Sequence, residues 1–170
     1  MSKQSKSTRH HTIGAPVRGA SVIVEREHDA YRSDHKLPEP TVCPQCRAAY
    51  HAGRWQWTAA AAGAHEELCP ACRRIRDAFP AGYVTLEGEY FREHRSELMR
   101  LVEHRAEHAK AEHPLQRIMA TEETADGVLI TTTDIHLARG IAEALHHAHQ
   151  GELKLRYEDA QNLLRAHWKR

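Results

Sequence analysis

The chain has 170 residues, and its 24 Lys and Arg against 23 Asp and Glu give a formal net charge of +1. This balance excludes a simple polycation that binds nucleic acid by charge alone. Apolar residues make up 41% of the chain and aromatic residues 6%, so we expect one modest core that a metal ion supports. The longest uncharged apolar stretch, residues 55–64, is far shorter than the roughly 20 residues of a membrane span. Because the N-terminus also lacks the apolar region of a signal peptide, we expect a cytoplasmic protein without a membrane partner.

Residues 1–40 are predicted to form a flexible, basic N-terminal arm. They carry mainly polar residues, glycine and proline, with a single apolar run at residues 20–24. The first twenty residues contain four basic residues and no acidic residue. Such a segment cannot bury enough apolar surface to fold alone, so we expect it to become ordered only on a partner.

Four cysteines mark the next unit, residues 41–82. Two residues separate the cysteines of each pair, and 22 residues separate the pairs. Two matched pairs supply the four thiolates of a tetrahedral structural Zn²⁺ site, which leaves no open position for a substrate. Disulfides, which require an oxidising compartment, and a thioredoxin-type redox pair are the alternatives. The unit is therefore predicted to be a zinc ribbon with the ligands Cys43, Cys46, Cys69 and Cys72.

Basic and aromatic residues surround these cysteines. Trp55 and Trp57 can stack on nucleic-acid bases or pack the small core of the ribbon, and their spacing of two favours the core. Arg47 and Arg73 follow the two cysteine pairs, where they can tighten the turns or place cations beside the thiolates. The candidates for contacts with RNA phosphates in this unit are Arg54, Arg73 and Arg74.

Residues 83–113 are predicted to form a short strand up to Glu87, followed by a long helix that Pro114 stops. One narrow apolar stripe among many charges is typical of a helix with one buried face. His104 and His108 lie four residues apart on this helix. Since no further ligand pattern completes a metal site, a solvated histidine face is favoured.

Residues 114–170 are predicted to form a small two-layer ββαββ domain. An Asp-Gly turn joins two strand-like runs, a helix begins at Thr133 or Asp134, and a second hairpin follows. The predicted fold class is α+β, with a zinc ribbon, a long helix and a small sheet covered by helices. Basic side chains of the second hairpin are expected on the open face of the sheet, where they bind phosphates or protect a sheet edge by charge. These residues are Lys154, Arg156, Arg165, His167 and Lys169.

The sequence carries no recognisable catalytic site. It lacks the glycine-serine motif of many hydrolases and the phosphate-binding loop of nucleoside triphosphatases. His136 beside Asp134 can be interpreted as an acid-base pair, but both residues fit better as the first turn of a capped helix. We therefore expect neither enzymatic activity nor a small-molecule substrate.

Three short motifs are distinctive: the two Cys-Pro-x-Cys pairs, Gly53-Arg-Trp-Gln-Trp57 and Thr131-Thr-Thr-Asp-Ile-His-Leu-Ala-Arg139. Together they resemble an uncharacterised family of small bacterial zinc-ribbon proteins, over about residues 29–170. The paired cysteines and the later helix are also distantly similar to the zinc-bearing N-terminal region of the adaptor that accompanies the large ribosomal subunit during nuclear export. This second resemblance implies a ribosome or ribosomal-RNA partner, with the four cysteines as zinc ligands.

These patterns lead to two hypotheses. The first is a non-enzymatic zinc protein that associates with the ribosome or other structured RNA as an assembly, stress or hibernation factor. The alternative is a protein-protein adaptor that uses its zinc ribbon and long charged helix to bind another protein, without nucleic acid.

Overall fold

The computed structural model of the chain describes Tyr31 and residues 36–158 and 162–170. Most of the arm predicted for residues 1–40 therefore lies outside the described residues. The first elements form a small unit around the cysteines, which we call the cysteine unit. Its elements are β1 (Thr41–Val42), β2 (Ala49–His51), β3 (Arg54–Gln56), β4 (His65–Glu66) and α1 (Pro70–Arg76).

The four strands of the cysteine unit form one sheet in the order β3-β2-β1-β4. A two-residue turn joins β2 to β3, and both of its residues, Ala52 and Gly53, have the positive φ that such a hairpin requires, 50° and 78°. The carboxylate of Glu39 accepts hydrogen bonds from the backbone amides of both turn residues, at 2.9 and 3.3 Å. The Glu39 side chain therefore stabilises the turn in addition to the backbone conformation of the turn itself.

The second cysteine pair begins a helix, a feature that the predicted zinc ribbon did not include. Cys69 is the N-cap of α1, and Pro70 occupies the first turn, where its fixed φ suits a helix start. The Sγ atom of Cys69 accepts a hydrogen bond from the backbone amide of Cys72 at 3.4 Å. The Cys-Pro-x-Cys pattern alone is compatible with both a β-type turn and a helix start, so the spacing could not distinguish them.

The remaining elements form a larger unit, which we call the sheet unit. Its five strands have the order β6-β7-β5-β9-β8, and every neighbouring pair is antiparallel except β5 and β9. The elements are β5 (Gly82–Glu87), α2 (Glu89–Glu93), α3 (Arg95–Glu112), β6 (Ile118–Glu123), β7 (Gly127–Thr132), α4 (Ile135–His149), β8 (Glu152–Glu158) and β9 (Leu163–Lys169).

Strand β5 lies at the centre of this sheet, between the two hairpins. Its inward residues Val84 and Leu86 are fully buried. The chain thus has the mixed α and β composition that was predicted, and the ββαββ unit predicted for residues 114–170 gains a fifth strand from the segment before it. Local periodicity identifies a strand, but it contains no information on which distant strand becomes its neighbour.

Helices α3 and α4 cover one face of the five-stranded sheet. The long helix predicted after β5 is divided into α2 and α3 at His94, whose ring stacks on that of Tyr90 at 3.9 Å between centroids. Trp168 of β9 is fully buried in the core, and its indole nitrogen donates to the carbonyl of Gln150 at 2.7 Å. On the opposite face, Arg165 is exposed and His167 is half-buried. Among the described residues, no helix has the length and apolar content that crossing a membrane requires.

Candidate metal centre and open sheet face

The four cysteines predicted as metal ligands come together at one point. Their Sγ atoms all lie within 4.8 Å of one another, and those of Cys46 and Cys69 are 3.7 Å apart. None of the four forms a disulfide, whose sulfur atoms would be about 2.05 Å apart. Three of the side chains are buried and that of Cys46 is partly exposed. This cluster can hold a metal ion by four sulfur ligands.

Backbone geometry at both pairs fixes the sulfur positions. Arg47 adopts a φ of 66°, and its amide donates to the carbonyl of Cys43 at 2.9 Å, which closes the turn after the first pair. The Cys43 sulfur in turn accepts a hydrogen bond from the Cys69 amide at 3.4 Å. Of the two roles considered for Arg47, the structure therefore shows the tightened turn.

The two tryptophans near the cysteines have different environments. Trp55 is partly buried against the cysteine cluster and lies 5.6 Å from the ring of Tyr50, as expected for a residue of the small core. Trp57 is 40% exposed, and its indole nitrogen donates to the carbonyl of Lys110 in α3 at 2.6 Å. Trp57 therefore connects the cysteine unit to the sheet unit, a role that its spacing from Trp55 did not indicate.

A cation lies beside the sulfur atoms, but it belongs to the sheet unit. Arg117 directs its guanidinium to the Sγ atoms of Cys46 at 3.1 Å, Cys72 at 3.3 Å and Cys69 at 3.7 Å. Arg73, which was predicted as a candidate for this position, forms an ion pair with Glu67 instead. Arg117 was not among the predicted site residues, because it lies far from every cysteine along the chain.

Burial and hydrogen bonds shift the thiol pKa values of three of the cysteines, and not all in the same direction. Burial raises the pKa of the Cys69 and Cys72 thiols. Burial acts in the same direction on Cys43, but backbone amides that donate to its sulfur outweigh it and lower its pKa to about 7. For Arg117, hydrogen bonds to the sulfurs outweigh burial and raise the pKa, so its guanidinium stays charged.

The basic residues predicted on the open sheet face do share that face. Lys154 lies opposite His167, and Arg156 lies opposite Arg165, in the register of β8 and β9. The guanidinium of Arg165 also lies over the ring of Tyr83 from β5, 4.4 Å from its centroid. We call the predicted set of Lys154, Arg156, Arg165, His167 and Lys169 the basic row.

Carboxylates on the same face offset much of this charge. Among the described residues, four members of the basic row lie within ion-pair distance of a glutamate, and Arg156 has no such partner. The pairs are Lys154 with Glu152 at 2.7 Å, Arg165 with Glu158 at 2.9 Å, and His167 and Lys169 with Glu87 at 2.9 and 3.5 Å. The face is therefore less basic than its alternating cations suggested.

The three arginines predicted to contact RNA from the cysteine unit do not form one surface. Arg54 is exposed on β3, whereas Arg73 is partly buried and its side chain is held by Glu67. Arg74 is only 1% exposed, donates to the carbonyl of Phe79 at 3.0 Å and lies over the ring of Tyr31. The guanidinium of Arg74 is buried under aromatic rings, so it does not share an exposed surface with Arg54.

In comparisons with known proteins, no family model, no curated protein and no solved structure matches this chain. Within the part of the chain that the structure describes, the four cysteines are the one cluster of at least three potential metal ligands. His104 and His108 are both exposed, in agreement with the solvated face favoured for them. Function is therefore inferred from the cysteine cluster and the open sheet face.

Proposed function

We propose that this protein is a non-enzymatic zinc-binding protein of the cytoplasm in which the metal has a structural role. Four sulfur ligands within 4.8 Å of one another match the preference of Zn²⁺ for a tetrahedral set of thiolates. With all four positions supplied by cysteines, the ion has no open position for water or substrate. The metal would then stabilise the cysteine unit rather than perform chemistry.

The partner we propose for the open sheet face is structured RNA, with the ribosome as the first candidate. The observation that carries this proposal is the direct cross-strand pairing of Arg156 with Arg165. Like charges in this position repel each other, and a bound phosphate would relieve the repulsion. Two planar guanidinium groups are also well suited to bidentate contacts with phosphate, and Tyr83 supports one of them from below.

The ion pairs of the basic row are compatible with RNA binding. They lie at the surface, where screening by solvent leaves such pairs little net stabilisation. A phosphate can therefore replace a glutamate at Lys154, Arg165 or Lys169 at small cost. In this proposal the sheet face contacts the RNA backbone by shape and charge, and a role in ribosome assembly, stress or hibernation follows from the partner.

A second candidate function, protein-protein adaptor, is favoured by the glutamates of the same face. Glu87, Glu152 and Glu158 alternate with the cations, so the face presents both signs of charge close together. Such a mixed pattern suits a protein surface with complementary charges better than a uniformly negative RNA backbone. The two candidates therefore differ in how binding should respond to the loss of the arginine pair.

The deciding experiment is sedimentation of tagged protein from cell lysates through sucrose gradients at low and high salt. We expect co-migration with ribosomal particles that weakens as salt rises, because phosphate contacts release counterions. The double variant Arg156→Glu, Arg165→Glu should abolish the co-migration. A matched control, Arg92→Glu with Arg100→Glu, makes the same charge change at exposed positions of α2 and α3 and should behave as the wild type.

The RNA proposal fails if co-migration is absent, or if neither salt nor the arginine substitutions change it. Migration near the top of the gradient, together with one stoichiometric protein and no nucleic acid, would support the adaptor instead. Thermal unfolding of both double variants checks that the substitutions leave the fold intact.

A further inference from the structure

We propose that Arg117 couples the metal centre to the sheet unit, so that metal binding determines whether the two units are docked. The guanidinium of Arg117 donates hydrogen bonds to the sulfurs of three of the four cysteines. Its backbone lies just before β6, outside the cysteine unit. The backbone of Arg117 therefore belongs to the sheet unit, whereas its guanidinium contacts the cysteine unit.

The sheet unit holds Arg117 firmly in place. The Arg117 amide donates to the hydroxyl of Thr133 at 2.9 Å, and the Thr133 amide donates back to the Arg117 carbonyl at 2.9 Å. The Nε atom of Arg117 donates to the carbonyl of Pro114 at 2.6 Å. These bonds fix the guanidinium from the sheet side, so it meets the sulfurs at a defined position and little conformational freedom is lost on contact.

The charge of a loaded metal site explains why this contact should depend on metal. A Zn²⁺ ion with four thiolates carries a formal charge of about −2, and the sulfurs are then strong acceptors for a charged donor. Without the ion, the four sulfurs lose the bonds that hold them at one point, and with them the arrangement that the three hydrogen bonds from Arg117 require. The attraction between Arg117 and the cluster is therefore greatest when the site is loaded.

Two further contacts accompany Arg117 at the same junction. The guanidinium lies 5.7 Å from the centre of the Trp57 ring, and Trp57 in turn donates to the carbonyl of Lys110. Leu115, two residues before Arg117, packs against the buried cysteine cluster. If the cluster loses its metal and its shape, each of these contacts loses its support.

The first test uses wild-type protein, loaded with zinc or treated with a chelator, and follows amide hydrogen exchange along the full chain. We expect chelation to accelerate exchange at residues 110–117 and at Thr133, in addition to the cysteine unit itself. The central strands β5, β7 and β9 should stay protected. Unchanged exchange at residues 110–117 after complete metal removal would overturn the proposal.

The second test compares zinc affinity, by competition with a chromogenic chelator, between wild type and Arg117→Met. Loss of hydrogen-bonding partners of metal ligands typically weakens metal binding about 10–100-fold, and we expect a loss in this range. Arg117→Lys keeps the positive charge but has only one donor nitrogen, so its zinc affinity should be intermediate. As a control, Arg54→Met removes an exposed cation of the cysteine unit whose side chain is not directed at the sulfurs. This variant should bind zinc as the wild type does.

This inference rests on the proposed zinc site but not on RNA binding, and the outcomes separate the two. Failure of the wild-type protein to bind zinc would refute the site itself. Zinc binding of equal affinity in wild type and Arg117→Met would refute only the coupling. The wild-type exchange experiment still decides the matter if the Arg117→Met protein does not fold.

Discussion

Individual residues at the metal centre determine how many protons the metal must displace. The Cys43 thiol, with a pKa of about 7, is half ionised near neutral pH. Burial keeps the pKa of Cys69 and Cys72 above that of an ordinary thiol. The metal-free cluster therefore carries protons at neutral pH that a bound metal ion must remove.

The pH dependence of metal binding follows from these values. Protons compete with the metal for the same sulfurs, so zinc affinity should fall as the pH falls and rise as the pH rises. Isothermal titration calorimetry at pH 7 in two buffers with different ionisation enthalpies should show net proton release on zinc binding. A binding enthalpy that is identical in the two buffers would mean that no proton is released and would contradict this prediction.

The residues of the site differ in how far the sequence could predict them. Spacing identified the four cysteines because two residues between ligands are a local requirement of metal geometry. Arg117 and Arg74 could not be assigned, since their environments depend on how distant segments pack. Arg117 reaches sulfurs more than 40 positions earlier in the chain, and Arg74 is buried by aromatic residues on both sides of the cysteine unit.

At the scale of single elements, helix α4 shows how a short motif starts a helix. Asp134 is its N-cap, and its carboxylate accepts hydrogen bonds from the amides of His136 at 2.8 Å and Leu137 at 3.1 Å. Asp134 and His136, which could also be interpreted as an acid-base pair, thus form the N-cap and part of the first turn, as the sequence favoured. One oxygen of the Asp134 carboxylate is engaged with backbone amides, which is typical of a cap.

Replacing the cap should weaken the fold by a defined amount. We expect Asp134→Ala to lower the free energy of unfolding by about 0.5–2 kcal/mol, because two amides of the first turn lose their acceptor. Asp134→Asn, which keeps an acceptor oxygen, should recover most of the loss. Urea denaturation followed by circular dichroism measures both values, and equal stability of Asp134→Ala and wild type would show that the cap is not needed.

The strand β7 begins with a glycine that has no room for a side chain. A Cβ atom at Gly127 would lie 1.9 Å from the carbonyl oxygen of Leu86 in the neighbouring strand β5. Gly127→Ala should therefore push β5 and β7 apart and lower the free energy of unfolding by about 1–3 kcal/mol. Thermal or urea unfolding tests this expectation.

A matched substitution in a helix should have the opposite sign. At Gly140 in α4 the atoms nearest to an added Cβ belong to the guanidinium end of the Arg105 side chain, at 3.1 Å, and this end can move. Alanine is the better helix former by about 1 kcal/mol, so Gly140→Ala should raise stability. Equal effects of the two substitutions would contradict the close contact inferred at Gly127.

At the scale of the whole molecule, the two units differ in the size of the buried core that stabilises them. The sheet unit contains one large buried cluster with residues from all three central strands and from α3 and α4. The cysteine unit has strands of only two or three residues, and its buried cluster consists of Cys43, Cys69, Ala71 and Cys72. We expect so small a core to depend on a bound metal ion for its stability.

Metal removal should therefore unfold one unit and spare the other. On chelation we expect residues from about 41 to 80 to become sensitive to protease, because the proposed zinc ion would supply much of their folding free energy. Peptides from the sheet unit should stay resistant. Limited proteolysis with mass spectrometry of the full chain, with and without chelator, measures this. Unchanged protease resistance after chelation would contradict the prediction.

Sequence patterns predicted most elements of the sheet unit but not their arrangement. The Asp-Gly turn, the capped helix and the alternating second hairpin are local signals, and each is present in the structure. The place of β5 between the two hairpins depends on a pairing that no local signal specifies. The directions of the side chains on β8 and β9 could also be predicted, because alternation with a period of two places the basic row on one face.

The parallel pairing of β5 with β9 has a consequence for the order of folding. Gly82 pairs with Leu164, 82 positions later in the chain, so β5 remains an open edge until the second hairpin has formed. Closing so long a loop is slow, and an open edge of β5 invites association with other chains until β9 pairs with it. During synthesis, the cysteine unit can capture its metal long before β9 exists. We expect metal capture to precede completion of the sheet, with Arg117 linking the two events.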